Sequence, residues 1–318
     1  MPCPGYFSGA FTSLQKNVFM FTAILSLVLV GVSWTLAGAV MGAAPKKKLD
    51  PAVVQLTGAV ISFTAALVLL SFTDVGETSF RDLFWCGLAY WGAGAVNCIM
   101  LILMSNAMQK GPNGIIWAVI QSAMIFPFML GILFFNVEPR LIRFAGLFSI
   151  LLSLLLSGVC KKNNFQNNGW KLPTFISFLL TGVTQSLVSL PSYFESSQAV
   201  TPVFRTMCLA LGVLFMSFGR IVTIRKEISL KANLTSKWLW IFSLSLQFFG
   251  LFFAIKLQYP SMDTLAKHGA GSLSYPLLVG SCVVGFSLYS IFFLKEKVTP
   301  LQWGSLASCL AGIILICL

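Results

Sequence analysis

Runs of apolar residues, each about as long as a bilayer core is thick, recur from residue 18 to the end of the chain. A helix needs about 20 such residues to cross the hydrocarbon. Ten runs come up to that length: 18–41, 52–72, 83–106, 113–135, 140–160, 172–192, 202–222, 237–257, 271–294 and 299–318. The charges needed to dress a water-facing surface are missing, because 9% of the residues are charged and 57% are hydrophobic. None of the runs shows the alternation of a barrel strand, and a helix satisfies its own backbone in lipid. The expected fold is an all-α polytopic membrane protein with ten transmembrane helices. Residues 1–17 carry only Lys16 and the first run is too long for a signal core, so no cleavable leader is expected.

The net charge of +12 raises the question of nucleic acid, but the basic residues fall in short clusters between runs and no nucleic-acid module accompanies them. Membrane lipid is the expected partner for those clusters. The eight cysteines stand singly, mostly inside runs, with no metal-ligand spacing, and read as small apolar fillers. The lone His268, in the polar stretch SMDTLAKHGAG, cannot make a metal site alone. No HExxH, GxSxG or P-loop pattern is present, so no cofactor, metal or catalytic residue is expected.

Shifting the chain by 158 residues lays Glu138 on Glu296 without a gap. It also lays Gly111 on Gly269, Trp117 on Tyr275, Phe128 on Phe286, Phe134 and Phe135 on Phe292 and Phe293, and Gly146 on Gly304. The acid-bearing turns FFNVEPRLIRFAG and FFLKEKVTPLQWG carry more weight in this match than scattered Phe and Gly. The halves are then 1–160 and 161–318, joined by KKNNFQNNGWK (161–171). Their second helices open alike, with Asp50-Pro51 and Thr201-Pro202 as N-cap and first-turn proline. With five runs per half, an odd number, the second copy enters from the opposite face. That predicts two inverted five-helix repeats.

The stretches IIWAVIQSAMIFPFMLGILFFNVEPRLIRFAG (115–146) and SYPLLVGSCVVGFSLYSIFFLKEKVTPLQWGSLASCLAGIILI (274–316) resemble the half-ends of the drug/metabolite transporter superfamily, in particular its EamA-like ten-helix members. The resemblance implies a secondary carrier of small metabolites in a bacterial inner (plasma) membrane, with a small-molecule substrate and a coupling ion among its partners. It also implies both termini inside. The positive-inside count points the other way: the N-terminal segment and the loops after even-numbered spans hold 7 Lys and Arg, the remaining loops 14. An intramembrane enzyme acting on lipid-linked substrates, or a non-transporting scaffold, is the alternative reading.

All nine acids fall at or near span ends, so the interior polarity expected in these spans is neutral. Glu195 with Arg205, between spans six and seven, is the exception to watch. Trp117, Gln121, Met124 and Phe128 share one helical face, and Tyr275, Val279, Cys282 and Phe286 share the matching face of span nine. These faces are the expected substrate lining, with Trp117, Gln121 and Tyr275 foremost and Asn97, Gln185, Gln247, Trp34 and Trp91 as further candidates. Ordinary bundle packing would produce the same aromatic stripe. Pro127 and the glycines of YWGAGAVN (90–97) are candidate hinges, with plain packing as their alternative. The sequon Asn233-Leu234-Thr235 reads as chance.

Overall fold

The structure, a computed structural model, describes residues 5–44, 47–73, 78–111, 113–138, 140–159, 169–223, 230–292 and 300–318. Among these residues the secondary structure is helical throughout, without a strand. The helices are α1 (Gly5–Ala43), α2 (Pro51–Leu70), α3 (Phe80–Lys110), α4 (Asn113–Gln121), α5 (Ile125–Phe135), α6 (Leu141–Val159), α7 (Lys171–Ser189), α8 (Glu195–Gln198), α9 (Pro202–Thr223), α10 (Leu230–Leu234), α11 (Lys237–Phe253), α12 (Tyr259–Lys267), α13 (Ser274–Phe292) and α14 (Pro300–Cys317). Seven helical stretches are long and apolar enough to cross a membrane, and Leu141–Leu156, Gly271–Gly285 and Trp303–Cys317 are shorter apolar ones. These are the dimensions of a multi-pass membrane protein.

Local chemistry explains the element boundaries. Asp50 caps α2 by accepting the Ala52 N–H at 2.8 Å, and the Thr201 hydroxyl accepts the Phe204 N–H at 3.3 Å at the start of α9. Each cap precedes a proline whose missing N–H costs nothing in the first turn. Pro127 cannot bond to Ala123, and the chain answers with a 3-10 turn at Ser122–Met124 that separates α4 from α5. Pro260 produces a different outcome. A π-helical turn at Ala254–Gln258, closed by the Tyr259 N–H on the Ala254 carbonyl, carries the helix past the proline, so α11 and α12 continue one another to Lys267. The span expected to end at 257 is therefore ten residues longer, and His268 caps its end, with Nδ1 2.7 Å from the Thr264 carbonyl oxygen.

Packing is dominated by close crossings at small residues. A side chain on Gly94 would run into the Leu209 carbonyl of α9, and one on Gly212 into the Trp91 carbonyl of α3. Likewise, Gly31 of α1 faces the Leu278 carbonyl of α13, while Gly146 of α6 and Gly312 of α14 each lie against the other's carbonyl. With little hydrophobic force between helices in lipid, such backbone approach supplies the dispersion contacts that hold them together. The glycines near residue 90 therefore serve packing; α3 runs through them unbroken. The main pairings are α6 with α14, α3 with α9 and α7, α2 with α9 and α11, α1 with α12 and α13, α4 with α6 and α7, α5 with α7, and α13 with α14.

Polar clamps supplement the glycines. Across α6 and α14, the Ser149 hydroxyl donates to the Ser308 carbonyl at 2.8 Å and Ser308 returns the bond at 2.9 Å. One turn on, the Ser305 hydroxyl donates to the Ser153 carbonyl at 2.9 Å. Between α2 and α11, Thr57 and Ser243 bond at 2.7 Å and the Ser62 hydroxyl donates to Gln247 Oε1. Asn233, 7% exposed, accepts the Asp50 backbone N–H at 2.9 Å, so this amide anchors the start of α2. The cysteines at 86, 98, 208, 282 and 309 are buried free thiols, as fillers would be.

Candidate functional site

One face of α1 gathers the foremost candidates. Trp34 and Gly38 are one turn apart on it. The Trp34 ring lies 6.2 Å from that of buried Tyr275 at the start of α13, tilted by 51°. The missing side chain of Gly38 leaves room for the Trp117 indole of α4, whose ring edge would be 3.2 Å from a Cβ placed there. Gln121, 7% exposed, follows Trp117 by one turn and ends α4 at the 3-10 break. Trp34 thus meets Tyr275 of α13, Gly38 meets Trp117 of α4 one turn along the same α1 face, and Gln121 follows Trp117 on α4. The same inward face continues with buried Met124 and Phe128, and on α13 with buried Val279 and Cys282; the Phe286 side chain lies outside the described residues.

The other candidates are placed elsewhere. Gln247 holds the α2–α11 clamp through Ser62 and packs on Gly58. The Trp91 ring lies 5.9 Å from that of Phe215, tilted by 53°, and Phe215 is 64% exposed and so points to the outside of the bundle. Asn97 is half-buried on α3, one residue before Cys98, whose thiol lies 3.1 Å from Ser217 Oγ of α9. Gln185, 4% exposed, lies on α7 in a polar stripe with Thr181 and Ser189, and its Oε1 has no partner among the described residues. An unpaired buried amide oxygen costs roughly 1–3 kcal/mol, so it marks a place where a polar group is wanted.

The sequence suggests Glu195 as the companion of Arg205 and leaves Asp263 at a span end, but Arg205 and Asp263 form a buried ion pair with each other. Arg205 is 0% exposed, with Nη2 2.9 Å from Asp263 Oδ2 and Nη1 donating to Oδ1 at 3.0 Å. Its Nε donates to the Val200 carbonyl at 3.1 Å, and Nη2 to those of Ser197 at 2.9 Å and Gln198 at 3.2 Å. Every guanidinium nitrogen is engaged, which is how a charge survives in such a place. Tyr259 lies under the guanidinium, 6.0 Å from its ring centre, and meets Tyr90 edge-on at 5.1 Å. Glu195, the suggested companion of Arg205, is exposed instead. The overlooked signal was proline tolerance: once α12 is seen to continue α11 beyond Pro260, Asp263 belongs to a span and requires a partner.

The arrangement combines three aromatic rings with an amide, while the one buried cation described is neutralised by its own carboxylate. Among the described residues no group of three or more His, Cys, Asp or Glu could hold a metal.

The fold defines a class, a multi-pass helical bundle knit by small residues. No family model matches the chain, and no curated protein does. Solved structures do match, in 26 chains. One of them, described only as "Crystal structure of protein", superposes with a TM-score of 0.65 over 95% of this chain and 96% of its own, at 13% identity. At that identity the likeness is one of fold.

Proposed function

We propose that the chain is a secondary transporter of small neutral or zwitterionic metabolites, built from ten spans in two inverted halves, 1–160 and 161–318, and related to EamA-like drug/metabolite transporters of bacterial plasma membranes. The observation that carries this reading is the exchange symmetry of the helix pairings. Taking α4 with α5 and α11 with α12 as single spans, each span can be traded for the one five places along. The α3–α9 contact then becomes α11–α2, α3–α7 becomes α12–α1, α1–α13 becomes α7–α4, and α4–α6 becomes α13–α14; α6–α14 and α2–α9 map onto themselves. All of these contacts are present.

The sequence offset supports the same axis independently. Along the α6–α14 crossing, Ser149 pairs with Ser308 and Ser153 with Ser305, so paired residue numbers rise on one helix as they fall on the other. The helices are antiparallel, as an odd number of spans per repeat requires. The reciprocally bonded Ser149 and Ser308 are 159 residues apart, within one residue of the 158 offset. Inverted halves around a midplane site are the architecture of alternating access.

The test is transport by the purified full chain in liposomes, assayed by counterflow with a panel of amino acids, sugars and nucleosides. The reading expects at least one solute to move above the rate of empty vesicles. Gln121→Ala should weaken its apparent affinity about tenfold or more, the value of one buried hydrogen bond. A panel that moves in neither direction would overturn it.

A further inference from the structure

The bundle end where α5, α7 and α12 finish and α9 and α13 begin is occupied by a seated aromatic pair. Tyr193 ends a 3-10 turn, Leu190–Tyr193, that follows α7, and its ring stacks on Phe135, the last residue of α5, at 4.1 Å and 8°. The seat is made by glycine. A Cβ on Gly271 would lie 2.8 Å from Tyr193 Cε1, and one on Gly131 would lie 2.6 Å from its hydroxyl oxygen and 2.7 Å from the Ser272 Cβ. Gly271 and Ser272 belong to a second 3-10 turn, Gly271–Leu273, leading into α13. Two irregular turns therefore meet through one ring.

Three features separate this contact from permanent core. First, Tyr193 Oη, Ser192 Oγ and Ser272 Oγ are buried without a hydrogen-bond partner among the described residues, and Ser272 is only 2% exposed; water reaching them would relieve that deficit. Second, Phe194 is extended, at φ −112° and ψ 122°, between the 3-10 turn and α8, giving the ring a single-residue joint. Third, the chain just beyond that joint is fixed: Arg205 holds the carbonyls of Ser197, Gln198 and Val200 while bonded to Asp263 of α12.

We propose that the Tyr193–Phe135 pair, seated on Gly131, Gly271 and Ser272, is the gate that closes this end of the bundle, swinging at Phe194 against an anchor made by Arg205 and Asp263. The idea rests on the transport reading, because a scaffold would need no gate. Opening parts Tyr193 from the 271–273 turn and hydrates the three hydroxyls, while the ion pair stays intact. The glycines matter because any side chain at 131 or 271 would unseat the ring.

The test is thiol accessibility, which needs no knowledge of the substrate. Ser272→Cys in the full chain is exposed to a polar maleimide in detergent, with the parent protein giving the background from its own cysteines. The cysteine should be protected when Tyr193 is present. It should label at least tenfold faster when combined with Tyr193→Ala or with Gly271→Ala, each checked for an unfolding midpoint near the parent's. Tyr193→Phe, which keeps the ring, should remain protected. Equal labelling with and without the Tyr193 ring, or continued protection in both the Tyr193→Ala and Gly271→Ala proteins, would overturn the gate. The expected labelling pattern in a protein that moves no solute would leave the gate standing and defeat the transport reading instead.

Discussion

Removing the carboxylate of Asp263 is the sharpest perturbation of the interior. Arg205 has no exposed side-chain surface and Asp263 only 12%, so solvent screening gives little relief. Asp263→Ala leaves a buried guanidinium whose remaining partners are three backbone carbonyls. Breaking a buried pair in this way costs about 3–5 kcal/mol, against at most about 1 kcal/mol for an exposed pair. At roughly 2–4 °C per kcal/mol, the unfolding midpoint should fall by about 6–20 °C. Five buried free thiols supply the assay, since a thiol-reactive fluorophore brightens as the bundle opens. The double variant Arg205→Met/Asp263→Leu should recover part of the loss, because no charge is stranded, but not all of it, because the carbonyls of Ser197, Gln198 and Val200 lose their donor. A shift below about 2 °C for Asp263→Ala, or a double variant worse than the single, would refute the argument that this pair anchors the 197–200 segment.

Other consequences follow from the crossings and clamps. Gly94→Ala and Gly212→Ala push a methyl group into a facing carbonyl and should each lower the midpoint clearly, by about 1–3 kcal/mol of overpacking or more. A Cβ on Gly219 inside α9 meets nothing within 4 Å among the described residues, so Gly219→Ala should instead raise the midpoint, through up to about 1 kcal/mol of helix propensity, as read in the same melt. Gln247→Leu should cost roughly 0.6–1.7 kcal/mol, the range of interhelical hydrogen bonds in membranes, while leaving transport affinity unchanged, which counterflow would check. Asn233→Ala should destabilise by about 1 kcal/mol through the lost bond to the Asp50 N–H, and expression in a glycosylating host should add no sugar, as read by gel mobility.

What the sequence made legible was whatever depends on local pattern. Asp50-Pro51 and Thr201-Pro202 announce helix starts because capping is decided within four residues. Trp117, Gln121, Met124 and Phe128 could be assigned to one inward face because helical period survives even the 3-10 break at Pro127. Gln247 and Trp91 lie apart from the Trp34, Trp117 and Tyr275 group, which the sequence could not show: polarity or aromaticity in a span identifies an interior or interfacial position, but not which interface. Ser62 and Phe215, the residues that decide it, are 185 and 124 positions away. The ion pair was hidden because the eighth run was bounded at 257, whereas the helix continues through Pro260 to Lys267 and takes Asp263 with it. A proline stops a helix only if the preceding turn cannot open, and the π turn at 254–258 does open. The turn around Glu296, the strongest repeat marker in the sequence, lies outside the described residues.

The crossings also constrain how alternating access would work. Motion separates surfaces held by side chains more readily than surfaces where backbones touch, because glycine-to-carbonyl contact leaves no room to slide. The backbone contacts join α1 to α13, α3 to α9 and α6 to α14, and in each pair one helix comes from 1–160 and the other from 161–318. Rocking one five-helix half against the other would have to break all three at once. Under the proposed transport cycle the moving bodies would then each contain helices from both halves, divided along interfaces where a side chain rather than a carbonyl meets the facing element. The seat of Tyr193 on Gly271 is one of these, and the ring contact between Trp34 and Tyr275 stays within the α1–α13 body. In such a division a substrate held by Trp34 and Tyr275 would keep those partners through the cycle and exchange the α4 side, Trp117 and Gln121, as access changes.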